Sequence, residues 1–191
     1  MFSELIPRFD RVNEMQVTGK KLGILAAGGS AALLASAFVF QLLGYAPCAM
    51  CIWQRYPHGV AVAAGLMLLI GLPVVLTLLV GAFSAAATAA IGVFHTGVER
   101  DWWEGPTSCT GSDDALSGLS GSALLPSATD EPVNLVMCDE VVWEFLTLSM
   151  ASWNAIWSGV LALVWLLGLR QFIRRARVNS LLASTEKASE S

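Results

Sequence analysis

Charge is what this chain has least of. Only 14% of its 191 residues are acidic or basic, 55% are hydrophobic, and the mean hydropathy is +0.62. That composition cannot cover a soluble domain of this size with polar surface, so a membrane protein remains. Internal repeats and nucleotide-binding motifs are absent, and no nucleic-acid partner is expected. Cysteine is sparse too, with Cys48, Cys51, Cys109 and Cys138 in the whole chain. Structural zinc sites usually bring two close-spaced pairs, whereas Cys109 and Cys138 stand 29 positions apart, so no metal is expected.

The few charges are unevenly placed. Arg8, Arg11, Lys20 and Lys21 precede the first apolar run, and Arg170, Arg174, Arg175 and Arg177 follow the last. The positive-inside rule therefore puts both termini in the cytoplasm. From Gly97 to Met150 there are ten acidic residues against the single cation Arg100, which suits the opposite side. A polar stretch before the first run, and a run longer than a signal h-region, argue against a cleaved signal peptide. All four cysteines then fall outside the cytoplasm, where disulfides persist.

Leu22 to Leu43 is 22 uncharged residues, roughly 33 Å of helix against a bilayer core of ~30 Å. Gly28, Ala32 and Ser36 recur at four-residue spacing there, as do Gly81, Ala85 and Ala89 in the third run, and each set predicts a smooth stripe for close helix packing. Pro47 stops the first helix near Gly44. From Pro57 to Leu72 there are only 16 residues, roughly 24 Å, so the second helix must begin earlier, around Ala49 to Ile52, with Pro57 inside it as a kink near Trp53. Gly71-Leu72-Pro73 is a tight turn.

The fold expected is an all-α membrane protein, a four-transmembrane-helix bundle with two periplasmic loops. A cytoplasmic arm covers 1–21, the bundle covers 22–169 and a cytoplasmic tail covers 170–191. The spans lie at about 22–43, 50–72, 73–95 and 151–169, and the loops at about 44–50 and 96–150. The second loop is rich in Gly, Ser and Asp between Gly111 and Ser122, carries apolar material for a short surface helix around Leu116, Leu119, Leu124 and Leu125, and runs along the interface from Val141 to Leu146. Six tryptophans, Trp53, Trp102, Trp103, Trp143, Trp153 and Trp157, fall near the outer interface, where an aromatic belt accounts for them.

Chemistry concentrates at Cys48-Ala49-Met50-Cys51. A Cys-x-x-Cys at a helix start stabilises a thiolate, because free amides and the positive end of the helix dipole lie there. As an inert bridge its loop is too small to restrain much of the unfolded chain. Arg55 follows Cys51 by four residues on the same helix face and can hold a thiolate or a polarised carbonyl oxygen; the plain alternative is a snorkelling interfacial arginine. Cys109 and Cys138 fit either a loop staple, stabilising by roughly 3–4 kcal/mol, or a second redox pair that another protein can reach. His95, at the outer end of the third run, can donate to a ligand oxygen or be a plain interfacial histidine, and His58 beside Pro57 carries less signal still.

Cys48-Ala49-Met50-Cys51 with Arg55, then His95-Thr96, then the Cys109 and Cys138 pair, resembles the DsbB family of bacterial disulfide bond formation proteins, from about Leu22 to Leu169. The runs Trp102 to Gly111 and Leu148 to Asn154 look like those of alphaproteobacterial members. The resemblance implies an inner-membrane protein-dithiol:quinone oxidoreductase that reoxidises a periplasmic DsbA-like thiol oxidase and passes electrons to ubiquinone or menaquinone. It implies that Cys109 forms the mixed disulfide with that partner, that Cys138 resolves towards Cys48, and that Cys51 meets the quinone beside Arg55, with His95 near. Gln54 departs from the acidic residue some members have, and Pro57-His58 departs as well, which bears on which quinone is bound. Two other readings compete: a vitamin K epoxide reductase-like enzyme, whose Cys-x-x-Cys belongs near the last span, and a disulfide-stapled membrane scaffold without turnover.

Overall fold

A computed structural model describes residues 6–106 and 137–189. Among them are four helices: α1 (Ile6–Leu42), α2 (Ala49–Leu69), α3 (Val74–Glu99) and α4 (Met150–Ser189). Three carry segments long and apolar enough to cross a membrane, Gly19–Leu42, Val74–Glu99 and Met150–Thr185. α1 starts well before residue 22 and α4 runs well past 169, since a helix is not obliged to end where an apolar run does. α2 begins at Ala49 and carries Pro57 inside it, which leaves the Trp53 carbonyl without its helical donor. Cys109 and the Gly111–Ser122 and Leu116–Leu125 stretches lie outside the described residues.

Local chemistry sets the helix ends. After α1, Gly44 takes φ +99°, and the Gly44 and Tyr45 amides donate to the Gln41 and Phe40 carbonyls at 3.1 Å each. Tyr45 then packs edge-on against Phe40, which completes a Schellman cap with its hydrophobic contact. Gly71 does the same after α2, with the Leu72 amide on the Met67 carbonyl at 3.1 Å. α3 ends one turn beyond His95, where Asp101 takes the left-handed place and the Trp102 amide reaches the Gly97 carbonyl at 2.9 Å.

α3 packs between α2 and α4, and α1 closes the ring against α2 and α4. The core is made of small residues around one large one, Trp165 of α4, which is fully buried among Ala26, Leu68, Leu78, Ala82 and Ala85. A Cβ at Gly81 would lie 2.5 Å from the Trp165 ring, so the indole sits where a side chain would otherwise be. In a bilayer such close approach is the main source of helix association. On α1, Gly23, Ala26, Ala27 and Ser30 face the bundle, whereas Gly28, Ala32 and Ser36 are exposed. Spacing finds a smooth stripe; only the neighbours decide which stripe is packed, and the expectation for Gly28, Ala32 and Ser36 is corrected accordingly.

Just before α4, β1 (Glu144–Phe145) pairs antiparallel with β2 (Leu148–Ser149), Glu144 opposite Ser149 and Phe145 opposite Leu148. Leu146 and Thr147 both have positive φ, 54° and 63°, at a two-residue turn that such residues occupy only when outside contacts hold them. Arg100 supplies one, donating to the Thr147 carbonyl at 2.9 Å. Phe40, Trp143, Phe145 and Trp153 form a chain of ring contacts beside this hairpin. The seventh tryptophan, Trp165, is the buried one.

Gly81→Val should push the Trp165 ring out of place and cost about 1–3 kcal/mol. Gly28→Val, with open space around it, should leave stability nearly unchanged; thermal unfolding of both variants in detergent checks the contrast.

Candidate functional site

The loop between α1 and α2 delivers Cys48 as the N-cap of α2. Its backbone is extended, with φ −76° and ψ 174°, and its sulfur accepts the Cys51 amide at 3.3 Å. A cap needs an acceptor aimed at the first-turn amides, and the Cys-x-x-Cys spacing puts the second cysteine's own amide there. Cys48, Met50, Val98 and Cys138 form one buried cluster, with Cys51 packed against it. Cys48 and Cys51 are free thiols. In this dithiol form the Cys48 thiol is pushed up to about 12, first by its hydrogen bond with the Cys51 side chain and then by burial.

His95 reaches this cluster from α3. Its Nε2 lies 3.5 Å from the Cys48 sulfur and 3.9 Å from the Glu99 carboxylate, and its Nδ1 lies 2.9 Å from Gln54 Nε2. An amide nitrogen only donates, so Nδ1 accepts and the ring proton sits on Nε2, facing the sulfur. Glu99, its side chain 6% exposed, accepts from Ser149, the residue whose oxygen also takes the Ser152 amide at 3.2 Å at the start of α4. Imidazole and both Cys-x-x-Cys sulfurs lie within 4.8 Å of one another, close enough for proton exchange or for a thiophilic cation on the reduced sulfurs.

Arg55 stands one turn below Cys51 on α2. Its Nη1 donates to Gln41 Oε1 at 2.8 Å, its Nη2 reaches the Ala37 carbonyl at 3.4 Å, and the guanidinium lies 4.9 Å from the Phe38 ring. These contacts tie it to α1 rather than leave it free in the interface, while its buried Nε has no partner among the described residues. A cavity of about 330 Å³ runs along this face. Leu33, Phe40, Trp143 and Trp153 give it apolar walls, and Cys51, Arg55 and His95 its polar points. That combination suits a flat, largely apolar ring carrying oxygen acceptors.

A profile described as "Disulfide bond formation protein DsbB" matches residues 19–168. This chain belongs to the DsbB family. The Disulfide bond formation protein B of Actinobacillus pleuropneumoniae serotype 5b (strain L20) is 29% identical over 163 residues, which cover 81% of this chain and 87% of that protein. No solved structure matches. Membership in the DsbB family implies an oxidoreductase role in disulfide bond formation.

Of the residues singled out in the sequence, the structure brings together Cys48, Cys51, Cys138 and His95, and sets Arg55 on the same cavity. His95 lies one turn before the end of α3, 2% exposed, with its ring against the Cys48 sulfur. Cys109 lies outside the described residues. Sequence reasoning noted Gln54 only as a departure from other members and passed over Thr88, Glu99, Ser149 and Asn154 as site residues. Polar residues inside apolar runs were the available signal, and Gln54 and Asn154 each interrupt one.

Because Cys51 contributes most to holding the Cys48 proton, Cys51→Ala should lower the Cys48 pKa. In wild-type dithiol the iodoacetamide reaction of Cys48 should still be accelerating at pH 10, while the variant should level off at lower pH. Alkylation rates read by mass spectrometry across pH 7–11 decide this.

Proposed function

We propose that this chain is a four-span protein-dithiol:quinone oxidoreductase of the bacterial inner membrane. It reoxidises a periplasmic DsbA-like thiol oxidase and passes two electrons to a quinone of the membrane pool. The observation that carries this reading is the Cys48–Cys51 pair placed between a buried Cys138 and an apolar cavity bearing Arg55. One neighbour is a third cysteine and the other a largely apolar cavity.

α2 is counted as the remaining span although composition alone leaves it out. Its 21 residues make roughly 31 Å of helix, enough for a ~30 Å core. Gln54 and His58 face the bundle at 6% and 3% exposure, and Arg55 is tied to Gln41, so the residues that lower its hydropathy are kept from lipid. Four spans return both termini to one side, and the flanking Arg and Lys residues make that side the cytoplasm.

Electrons enter when a partner thiolate attacks Cys109 of a Cys109–Cys138 disulfide, bonding to the Cys109 sulfur and releasing Cys138 as a thiolate. Cys138 then attacks Cys48 of the Cys48–Cys51 disulfide, and Cys51 leaves as a thiolate beside Arg55. The partner's second thiolate displaces Cys109, and Cys109 in turn displaces Cys48 from Cys138, which restores the outer disulfide and leaves Cys48 and Cys51 reduced. A bound quinone supplies the final acceptor, taking two electrons and two protons. Toward it, Arg55 offers its unpartnered Nε–H, while His95 stands by the Cys48 sulfur to move that thiol's proton as the inner disulfide reforms.

Cys51→Ser with Cys109→Ser should accumulate a Cys48–Cys138 disulfide, found by nonreducing peptide mapping; its absence, with both thiols free, rules out this relay. Reporter fusions after Ser112 and after Arg177 should report opposite sides of the membrane, and agreement between them would end the four-span topology.

A further inference from the structure

Cys51, Arg55 and His58 follow one another at helical spacings, so the cavity face of α2 continues about 10 Å beyond Cys51. His58 lines the cavity there, 3% exposed. Its Nε2 lies 2.9 Å from Asn154 Oδ1, and its Nδ1 has no partner among the described residues. Asn154 Nδ2 donates to Gln54 Oε1 at 2.6 Å, and Gln54 Nε2 meets His95 Nδ1 at 2.9 Å. With His95 Nε2 at 3.5 Å from Cys48, an unbroken chain of hydrogen bonds joins the sulfur to a ring nitrogen at the far end of the cavity.

Packing does not account for that open end. A buried nitrogen left unsatisfied is destabilising, and an apolar residue at 58 would avoid it. We propose that His58 Nδ1 is a second polar contact for the quinone, hydrogen-bonding a ring oxygen remote from Cys51, and that Asn154 and Gln54 tie its tautomer to that of His95, beside Cys48. This rests on the quinone reading above.

Each link has one donor and one acceptor, so the chain runs one way or the other as a whole. When Cys48 is a thiol donating to His95 Nε2, both amides turn so that His58 Nε2 accepts, and Nδ1–H is left to donate to a quinone carbonyl. With the amides as they stand in the structure, the chain runs toward the sulfur, and Nδ1 is a bare acceptor suited to a quinol hydroxyl. His58 can therefore meet either oxidation state of the ring, donating in one direction of the chain and accepting in the other. Proton and electron balance are unchanged from the reaction above, because His58 ends with the proton count it began with.

The test uses full-length protein in detergent and a short-chain ubiquinone, decylubiquinone, with binding read by quenching of tryptophan fluorescence, since Trp143 and Trp153 line the cavity. His58→Phe should weaken quinone binding about tenfold, and His58→Gln, which keeps a group able to donate or accept, should stay within about threefold of wild type. Unchanged affinity in His58→Phe, or equal losses in both variants tracking a fall in melting temperature, would overturn the proposal. His58 and His95 are the only histidines, so ¹⁵N-histidine labelling of the wild type gives a readout independent of any variant's folding. Decylubiquinone should shift the His58 Nδ1 resonance, and a shift confined to His95 would refute the contact. Wild type that binds no quinone at all would instead remove the quinone reading itself.

Discussion

Polar groups inside an apolar bundle must find each other, and the placing of the site follows from that constraint. Gln54, Thr88, His95 and Asn154 come from three different helices, and each is bonded to another of the set. Leaving one such group unpaired in a low-dielectric interior costs about as much as a hydrogen bond is worth, and more if the group is charged. Their mutual satisfaction therefore fixes the rotation of α2 relative to α3 and α4 more sharply than alanine-on-alanine contacts can. The Thr88 hydroxyl illustrates this, since it donates to the Gln54 carbonyl in the stretch where Pro57 weakens the regular ladder of α2.

The two halves of the bundle are held differently. Away from the sulfurs, Trp165 fills the space that Gly23 and Gly81 leave, and close packing supplies the cohesion. Toward the sulfurs the helices diverge around a cavity, and hydrogen bonds, stacked rings and the short hairpin take over. Glu99 links the two outer elements: it lies beside His95 on one side and accepts from Ser149, the last residue of β2, on the other. A carboxylate kept at that position ties the conformation of the hairpin to the neighbourhood of Cys48.

Cysteine at a helix N-cap has a chemical consequence. The bond that closes the first turn of α2 ends on the Cys48 sulfur, so any change at that sulfur also touches the cap. Met50 and Val98 pack in the same buried cluster as Cys48 and Cys138, and His95 faces the Cys48 sulfur.

The amino-acid sequence by itself determined the membrane class, the turns that close α1 and α2, and the cysteine spacing. Hydropathy depends on composition over some twenty residues, a Schellman cap on one glycine and its neighbours, and a thiol pair on two cysteines and their spacing, all of which are local. The DsbB resemblance added a reaction class because its cysteine order is specific. Tertiary structure decided which small-residue stripe on α1 is packed, that the His95 ring lies against Cys48, that Arg55 is tied to Gln41, and that Gln54, Asn154 and His58 form one connected chain. Those outcomes depend on the rotation of helices about their axes. Rotation is set by contacts between residues as much as 100 positions apart, and no periodicity along a single helix contains them.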